Sequence, residues 1–266
     1  MKYHNLLFIA LVFNSPVTSQ ESIRLEFGNG VSSLSDFSIK VQGGKESFQV
    51  DIKRLRSSLR GLNLELQEGY NSDFIKLLLN VASASGDEIN IRPQNNEELP
   101  TIEIGKISYS LDDWDINLSE NGPLGVPTLN AKISLQRFNL IPPKNFTNNL
   151  SQNEWNIFKV FYEDGLLSIK KISVDLIMNE DRLINLSAQI DLPVGKAAIK
   201  SIISLPIDYK GDPYIESTEI DLISLTPGLR EIIDEFLINS NEIPIKKKGT
   251  GYQLRFRGQL ENPRFY

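Results

Sequence analysis

The sequence predicts a mainly β fold, in which one large curved antiparallel sheet, groove-like or sandwich-like, carries two short amphipathic helices. The first observation is a repeated alternation of apolar and polar residues, since successive side chains of a strand point to opposite faces of its sheet. The second is the spacing of Gly, Pro, Asn and Asp, which divide the alternating runs into roughly a dozen strands. The third is that helical periodicity is confined to two stretches.

The alternating runs extend to the C-terminus of the chain. Within each run the apolar residues share one parity: Leu62, Leu64 and Leu66; Ile107, Tyr109 and Leu111; Trp114, Ile116 and Leu118; Leu129, Ala131, Ile133 and Leu135; Ile172, Val174 and Leu176; Ile184, Leu186, Ala188, Ile190 and Leu192; and Tyr252, Leu254, Phe256 and Leu260. Pro263 is expected to close the last strand, because proline cannot donate a hydrogen bond to a ladder. Turns are predicted at 28–30, 43–44, 86–87 and 210–212, where glycine is joined by Asn, Asp or a second glycine.

A change of parity between Leu111 and Trp114 predicts a bulge or turn at Asp112-Asp113. The acidic and polar residues that begin at Asp113 have the alternate spacing of calcium ligands, but a calcium loop of the EF-hand type needs glycine at its sixth position. The sequence has Leu118 there. A strand whose polar side chains lie in solvent is therefore the favoured interpretation, and no metal site is predicted.

Thr226-Pro227 begins the better defined of the two predicted helices, with Thr226 as the N-cap and Pro227 at the first helical position. Its apolar residues recur at helical spacing, at Leu229, Ile232, Ile233, Phe236 and Leu237. The second helix is predicted from Ser151 to about Glu163, and a capping box formed by Ser151 and Glu154 opens it. Each helix has one apolar face to bury, so both are expected to plug or cover an open end of the sheet.

Residues 1–19 have the pattern of a secretory signal peptide: Lys2, the apolar run Leu6–Phe13, and small residues before Gln20. An uncleaved anchor or a buried strand is the alternative. We expect a periplasmic or exported chain whose residues 20–266 form a single β-rich domain, with a possible seam at 142–150. No later run approaches the ~20 apolar residues that span a bilayer, and the chain has no cysteine.

Composition excludes several classes of function. Lys2 is the one charged residue among the first nineteen, so the mature chain has 27 basic and 34 acidic residues and a net charge of −7, which argues against nucleic acid as a partner. Its single histidine, His4, lies in the signal peptide, so catalytic triads and the usual zinc ligands are missing. We expect no cofactor and no enzymatic activity.

Two catalytic patterns remain, and each also has a structural interpretation. Ser168 and Lys171 have the spacing of penicillin-binding enzymes, which place these residues on a helix, whereas here they lie in a predicted strand. Glu97-Glu98 with Glu216 and Glu219 could supply a glycosidase pair only if their carboxylates converged in a cleft. Solubilising charges are the favoured interpretation.

The C-terminal twenty residues are basic although the chain is acidic. Lys246, Lys247, Lys248, Arg255 and Arg257 are the candidate residues for binding an acidic partner or a lipid headgroup. A charged strand face that discourages edge pairing is the alternative, because Arg255 and Arg257 fall on the polar parity of their strand.

The ending GYQLRFRGQLENPRF resembles the closing strand of AsmA-like periplasmic proteins and is especially similar to that of the type II secretion protein N family. The preceding LISLTPGLREIIDEFL resembles the short helix that leads into that strand, and EDGLLSIKKISVDL and GPLGVPTLNAKISL resemble upstream strand starts. The similarity extends over residues 122–266. It implies a long groove-like antiparallel sheet with an apolar inner face. Those families usually keep an N-terminal membrane anchor, whereas this chain is expected to lose its signal.

These observations together predict a non-catalytic periplasmic accessory protein of bacterial envelope transport. Its expected partners are envelope or secretion proteins, with phospholipid as a further candidate. No transmembrane span is expected in the mature chain. Two alternatives remain open. A lipid-binding β-groove carrier would have an unfilled apolar face, and a carboxylate-based glycan hydrolase would have two acidic side chains within about 10 Å of each other in a cleft.

Overall fold

The computed structural model describes residues 22–43, 45–67, 74–119, 122–123, 125–163, 165–206, 211–239 and 244–266. The predicted signal peptide, residues 1–19, lies outside them. The strands are β1 (Ser22–Phe27), β2 (Gly30–Gly43), β3 (Glu46–Gln67), β4 (Phe74–Pro93), β5 (Thr101–Ser119), β6 (Gly122–Pro123), β7 (Thr128–Ile141), β8 (Tyr162–Glu163), β9 (Leu166–Met178), β10 (Leu183–Leu192), β11 (Gly195–Ser204), β12 (Tyr214–Ile223), β13 (Lys246–Lys248), β14 (Gly251–Gln259) and β15 (Asn262–Phe265). The helices are α1 (Gln152–Phe158) and α2 (Pro227–Asn239), and Phe146–Asn149 form a 3-10 turn.

All fifteen strands of the described residues belong to one antiparallel sheet, so the predicted mainly β fold is confirmed. The main path runs β1-β3-β4-β5-β7-β9-β10-β11-β12-β14-β13. Outside this path, β2 pairs with β3, β6 with β5, β8 with β9, and β15 with β14. No pairing between described residues joins the two edges, so the sheet is open and the sandwich-like alternative is not formed. β7 pairs directly with β9, and the sheet is therefore continuous across the predicted seam at 142–150.

β1 and β2 are two parts of a single edge strand. Both pair antiparallel with β3, β1 with the C-terminal part of β3 and β2 with the N-terminal part. The chain thus runs straight on through Gly28 and Asn29, and the turn predicted at 28–30 is wrong. β2 does reverse into β3 at the turn predicted at 43–44, of which Gly44 lies outside the described residues. Lys210, in the turn predicted at 210–212, also lies outside them.

A line of irregular positions crosses six neighbouring strands, from β2 to β9. Each pairing skips one residue per strand there, namely Asp36, Lys53, Glu88, Gly105, Arg137 and Lys170. Three of these residues, on alternate strands, have left-handed backbone angles: φ is 52° at Asp36, 49° at Glu88 and 53° at Arg137. We term this line the first bend row. The turn predicted at 86–87 is wrong, because Gly86 and Asp87 continue β4 into the bend row without reversing the chain.

A second bend row crosses β3, β4 and β5 at Gly61, Asn80 and Asp113. The backbone is left-handed at Gly61, with φ of 64°, and at Asp113, with φ of 54°. Gly61 is required here, because a Cβ at this position would overlap the side chain of Asn80. On β5 the register shifts between Asp112 and Asp115, so the predicted bulge at Asp112-Asp113 is confirmed.

The buried core is small for a chain of this length. The buried apolar side chains of the described residues are Leu79, Ala188, Val194, Ile215, Leu225 and Tyr252. No described side chain is completely buried. The element pairs in extensive contact are all pairs of strands. Strand pairing within one layer, rather than packing of two layers against each other, therefore dominates the contacts of this sheet.

α2 confirms the better defined of the two predicted helices. It begins at Pro227, and the Arg230 amide donates to the Thr226 carbonyl at 3.1 Å. Leu225, just before the helix, is buried against Gly195, where an added Cβ would lie 2.6 Å from the Leu225 Cδ2 atom. The helix is thereby fixed beside the ends of β11, β12 and β14.

α1 begins where predicted but is shorter. The capping box of Ser151 and Glu154 is formed: the Ser151 amide donates to Glu154 Oε2 at 2.8 Å, and the Glu154 amide donates to Ser151 Oγ at 3.3 Å. The helix ends at Phe158 rather than near Glu163, because Tyr162 and Glu163 pair with β9 as strand β8. An aromatic contact between Phe158 and Tyr162, with ring centroids 5.5 Å apart, links the two segments.

Replacing Ser151 by alanine is expected to lower the free energy of unfolding by about 1 kcal/mol, because the Ser151 hydroxyl accepts from the Glu154 amide and donates to Glu154 Oε2, and both bonds are lost. Hydrogen bonds donated by the Ser151 hydroxyl and amide hold the pKa of Glu154 below its ordinary value. Urea denaturation measures the change. The control is Gln152→Ala, an exposed first-turn residue whose replacement should change stability by less than about 0.5 kcal/mol. Equal effects of both substitutions would contradict a stabilising cap.

The last predicted strand ends earlier than expected, and a further short strand follows it. β14 ends at Gln259, the chain turns at Leu260, and β15 pairs back onto β14. Leu260 therefore does not belong to the strand, and Pro263 lies within the short edge strand β15 instead of closing β14. Proline is tolerated in an edge strand, because its missing N–H can face solvent.

Candidate functional site: an uncovered apolar sheet face

Strand register aligns apolar residues of ten neighbouring strands in one transverse row. Each residue pairs directly with the next: Leu34, Leu55, Gly86, Ile107, Leu135, Ile172, Ile190, Ala197, Leu222 and Tyr252. The adjoining row consists of Ser57, Ala84, Tyr109, Ile133, Val174, Ala188, Ile199, Ile220 and Leu254. Directly paired residues, and residues two apart in a strand, point to the same face. We term the face that carries both rows the apolar face.

The first bend row keeps apolar side chains on this face where the sequence parity changes. Gly86 and Ile89 are three residues apart and would point to opposite faces of a regular strand. Instead, a Cβ on Gly86 would lie 2.9 Å from Cδ1 of Ile89 and 3.5 Å from Cγ2 of Ile107, the partner of Gly86. All three positions therefore share one face, and the bend accommodates two consecutive polar residues.

No described element covers the middle of the apolar face. Tyr109 and Ile133 are paired in β5 and β7 near its centre, and 48% and 49% of their surfaces are exposed. Towards the N-terminal edge, Leu34 is also exposed. Soluble monomers rarely leave a continuous apolar surface of this extent in water, and such surfaces mark binding sites for lipids, membranes or proteins. The apolar face is therefore the candidate functional site.

The opposite face carries serine in the same central region. Ser85, Ser108, Ser134 and Ser173 form one transverse row, each paired with the next. A shallow cavity of about 590 Å³ lies along this row, and charged side chains such as Lys132 line it as well. Hydroxyl groups are readily hydrated, and the exposed apolar residues on this side, Val31, Ile177 and Ile202, lie outside the serine row. The two faces of the sheet thus differ in chemistry over the same strands.

The five candidate basic residues are divided between the two faces. Lys247 lies on edge strand β13 opposite Tyr252, on the side of α2, and its ammonium group is 2.9 Å from the Asp234 carboxylate. The Tyr252 hydroxyl donates to the same carboxylate at 2.7 Å. Hydrogen bonds from Lys247 and Tyr252 hold the pKa of Asp234 below its ordinary value, while burial and this hydrogen bond raise the pKa of Tyr252.

Lys248 and Arg255 lie on the serine side and are both paired with carboxylates. The Lys248 ammonium group is 3.1 Å from Asp221, and the Arg255 guanidinium group is 2.5 Å from Glu219. Burial acts to raise the pKa of Asp221, but hydrogen bonds from Lys248 and Gln253 outweigh it and lower the pKa.

The remaining two basic residues form no ion pair with a described carboxylate. Arg257 lies over the ring of Tyr266, 5.4 Å from its centroid. Lys246 is exposed on β13 opposite Gln253. The five residues therefore do not form a single cationic cluster, and Lys246 and Arg257 are the two whose charge is not neutralised by a neighbouring carboxylate of the described chain.

Replacing Asp234 by asparagine is expected to flatten the acid limb of the stability profile. The folded-state pKa of Asp234 is depressed below 3.8. Its stabilising contribution is therefore complete above the unfolded pKa and is lost as the pH falls through the folded pKa. Urea midpoints measured from neutral to acidic pH test this, with Glu231→Gln on the same helix as a control. An unchanged acid slope in Asp234→Asn would contradict the assigned contacts.

Residues considered for catalysis do not converge. Glu97 and Glu98 lie in the connection between β4 and β5, whereas Glu216 lies in β12 near the opposite end of the sheet, where it accepts a 2.7 Å hydrogen bond from Ser204. Ser168 and Lys171 both lie in β9, a strand rather than a helix. In the described part of the chain, no group of three or more His, Asp or Glu side chains could hold a metal ion.

Within the described ranges, no helix is long and apolar enough to cross a membrane. Comparisons of the chain with protein-family models, curated proteins and solved structures find no match.

Proposed function

We propose that this chain is a non-catalytic accessory protein of bacterial envelope transport, exported to the periplasm, whose apolar face carries the acyl chains of phospholipids. The single observation that carries the proposal is the uncovered apolar face, with Tyr109 and Ile133 half exposed at its centre. The signal-peptide pattern of residues 1–19 and the resemblance of residues 122–266 to AsmA-like proteins support the envelope compartment.

The dimensions of the apolar face suit acyl chains. The part of the row from Leu34 on β2 to Ile172 on β9 lies clear of the buried end at Tyr252; it crosses six strands at a spacing of 4.7–4.9 Å and is about 24 Å long. The hydrocarbon core of a bilayer, which holds two acyl chains end to end, is about 30 Å thick. One acyl chain can therefore lie across the strands along its whole length.

The chemistry of the face also favours acyl chains. Aliphatic and aromatic side chains dominate the two rows, and an acyl chain brings no polar group that would need a hydrogen bond there. Each methylene group removed from water contributes about 0.8 kcal/mol, so contact along a strip of the sheet is sufficient for binding.

The basic residues near the C-terminus are the proposed contacts for the phosphate of the headgroup. Lys246 and Arg257 are expected to contribute most, because neither is paired with a described carboxylate. Lys246 lies on edge strand β13 opposite Gln253, on the serine side of the C-terminal edge, so the headgroup is proposed to extend around this edge from the apolar face. Lys247, Lys248 and Arg255 are expected to contribute less, since binding would compete with their ion pairs.

Native mass spectrometry of the chain purified from a bacterial periplasm without detergent tests the proposal. We expect a bound species of several hundred daltons that extracts as phospholipid. A protein that carries only its own mass, and that stays bare after incubation with phospholipid vesicles, would contradict lipid carriage and leave a protein partner as the occupant of the apolar face.

A further inference from the structure

The two edges of the sheet differ in how they are protected against pairing with another strand. The C-terminal edge is formed by β13, which is three lysines long, and by β15, which contains Pro263. Short edge strands, lysine and proline all discourage edge-to-edge association. The N-terminal edge is less protected: β2 is a 14-residue strand without proline and with one lysine, Lys40, and β1 continues it.

The outer side of β2 is available for pairing. β2 pairs with β3 on one side, and no described strand pairs with it on the other. After the bend at Asp36, its regular segment carries Phe37, Ile39 and Val41 on the apolar face, because these residues pair with Ile52, Val50 and Phe48 of β3. Ile39 and Val41 are each 46% exposed. Unpaired backbone and exposed apolar side chains therefore occur together on this segment.

We propose that a second copy of this chain occupies the edge, and that the two β2 strands pair antiparallel about a twofold axis at Ile39. In this register Ile39 lies opposite Ile39, and Phe37 lies opposite Val41, so all apolar residues of the segment face each other. Ser38 lies opposite Lys40, and no two like charges meet. Cross-strand apolar pairs of this kind stabilise antiparallel sheets.

Neighbouring registers are less favourable. A twofold axis at Lys40 would place two lysines directly opposite each other, which is destabilising. An axis at Ser38 would bring the bent residue Asp36, with its left-handed backbone, into the ladder within two residues of the axis. Of these three axes, only the one at Ile39 keeps 37–41 paired within the regular part of β2 without placing two lysines opposite each other.

A twofold dimer is a closed assembly, whereas head-to-tail association of copies need not be. Pairing of β2 with the C-terminal edge of another copy would be heterologous and would produce a ring or an open filament. The lysines of β13 and the proline of β15 oppose that arrangement. A twofold pairing of β2 with itself is closed. It also places the apolar faces of both copies on the same side of one continuous sheet.

Sedimentation velocity of the purified chain at micromolar concentration is the first test, and a reversible dimer is expected. Ile39→Lys opposes two lysines at the axis and is expected to weaken the dimer about tenfold or more. Ile75→Lys is the matched control: Ile75 is 41% exposed on the apolar face of inner strand β4, and its replacement should leave the dimer intact. A monomeric wild-type chain would overturn the proposal, and a dimer broken equally by both substitutions would do so as well.

Cysteine crosslinking tests the register, since the chain has no cysteine of its own. Side chains directly opposite in an antiparallel pair have Cβ atoms about 4.5–5.5 Å apart, close to what a disulfide needs. Ile39→Cys is therefore expected to form a covalent dimer under mild oxidation. Leu34→Cys is the control on the same strand: its two copies would lie about 34 Å apart in this register. Crosslinking of Leu34→Cys at the same rate as Ile39→Cys would overturn the proposed pairing.

Discussion

Replacing Gly251 by alanine is expected to lower the free energy of unfolding by about 3 kcal/mol, because the added methyl group has no space. Gly251 begins β14, and a Cβ at this position would overlap the backbone carbonyl oxygen of Leu222. A backbone atom cannot move aside as the end of a flexible side chain can. The strand would have to separate from β12 beside Tyr252, one of the few buried side chains of the protein.

Chemical denaturation of Gly251→Ala and Gly228→Ala measures this effect against a matched control. Nothing lies within 4 Å of a Cβ on Gly228, which is in the first turn of α2. Alanine is favoured over glycine in a helix by about 0.5–1 kcal/mol, so Gly228→Ala should leave stability unchanged or raise it. Comparable losses in both variants would show that the contact between β12 and β14 is not the cause.

Replacing Ile133 by glutamate is expected to weaken the binding of a fluorescent fatty acid at least about tenfold, because a charged group would have to be buried beneath the acyl chain. Ile133 lies at the centre of the apolar face and is half exposed, so the substitution creates no cavity in a packed core. Titration of the probe into the purified protein gives both affinities, and thermal unfolding establishes that the variant is folded.

Ser134→Glu is the control for this measurement. It introduces the same charge in the same strand, one residue further on, but on the serine face. Its affinity for the fatty acid should equal that of the unmodified chain. Equal weakening by both substitutions would indicate a general effect of negative charge and would count against the apolar face as the binding surface.

The alternation of apolar and polar residues was sufficient to predict the sheet, because each strand has one apolar face. It was not sufficient to predict the bends. In β3, the apolar parity is even at Phe48, Val50 and Ile52, and odd at Leu55 and Leu59. Such a change in parity within one uninterrupted strand is the available signal for a bend. A bend is predicted from it only at Asp112-Asp113.

The incorrect turn predictions have a cause related to that of the missed bends. Glycine beside Asp or Asn usually marks a reversal, because both tolerate left-handed backbone. At Gly86-Asp87 the left-handed residue is the following Glu88, and the strand bends and continues because its neighbours on both sides bend at the same level. Alignment across strands depends on register between distant segments, which one sequence does not contain.

The candidate site was partly accessible from the sequence. The existence of an apolar face follows from parity, whereas its lack of cover depends on where the helices lie. α2 lies at the end of the face, where the Tyr252 hydroxyl donates to Asp234, and it leaves Tyr109 and Ile133 at the centre exposed. The basic residues near the C-terminus were identified as a group, but their pairing with Asp221, Asp234 and Glu219 depends on contacts with β12 and α2 that are remote in sequence.

Photocrosslinking with a phospholipid that carries a diazirine in its acyl chain tests the location of lipid binding most directly. After irradiation and digestion, mass spectrometry identifies the modified residues. We expect crosslinks at apolar-face residues such as Tyr109, Ile133 and Val174, and none in the serine row from Ser85 to Ser173. Crosslinks concentrated on the serine face, or none above the level of a water-soluble diazirine, would contradict the account.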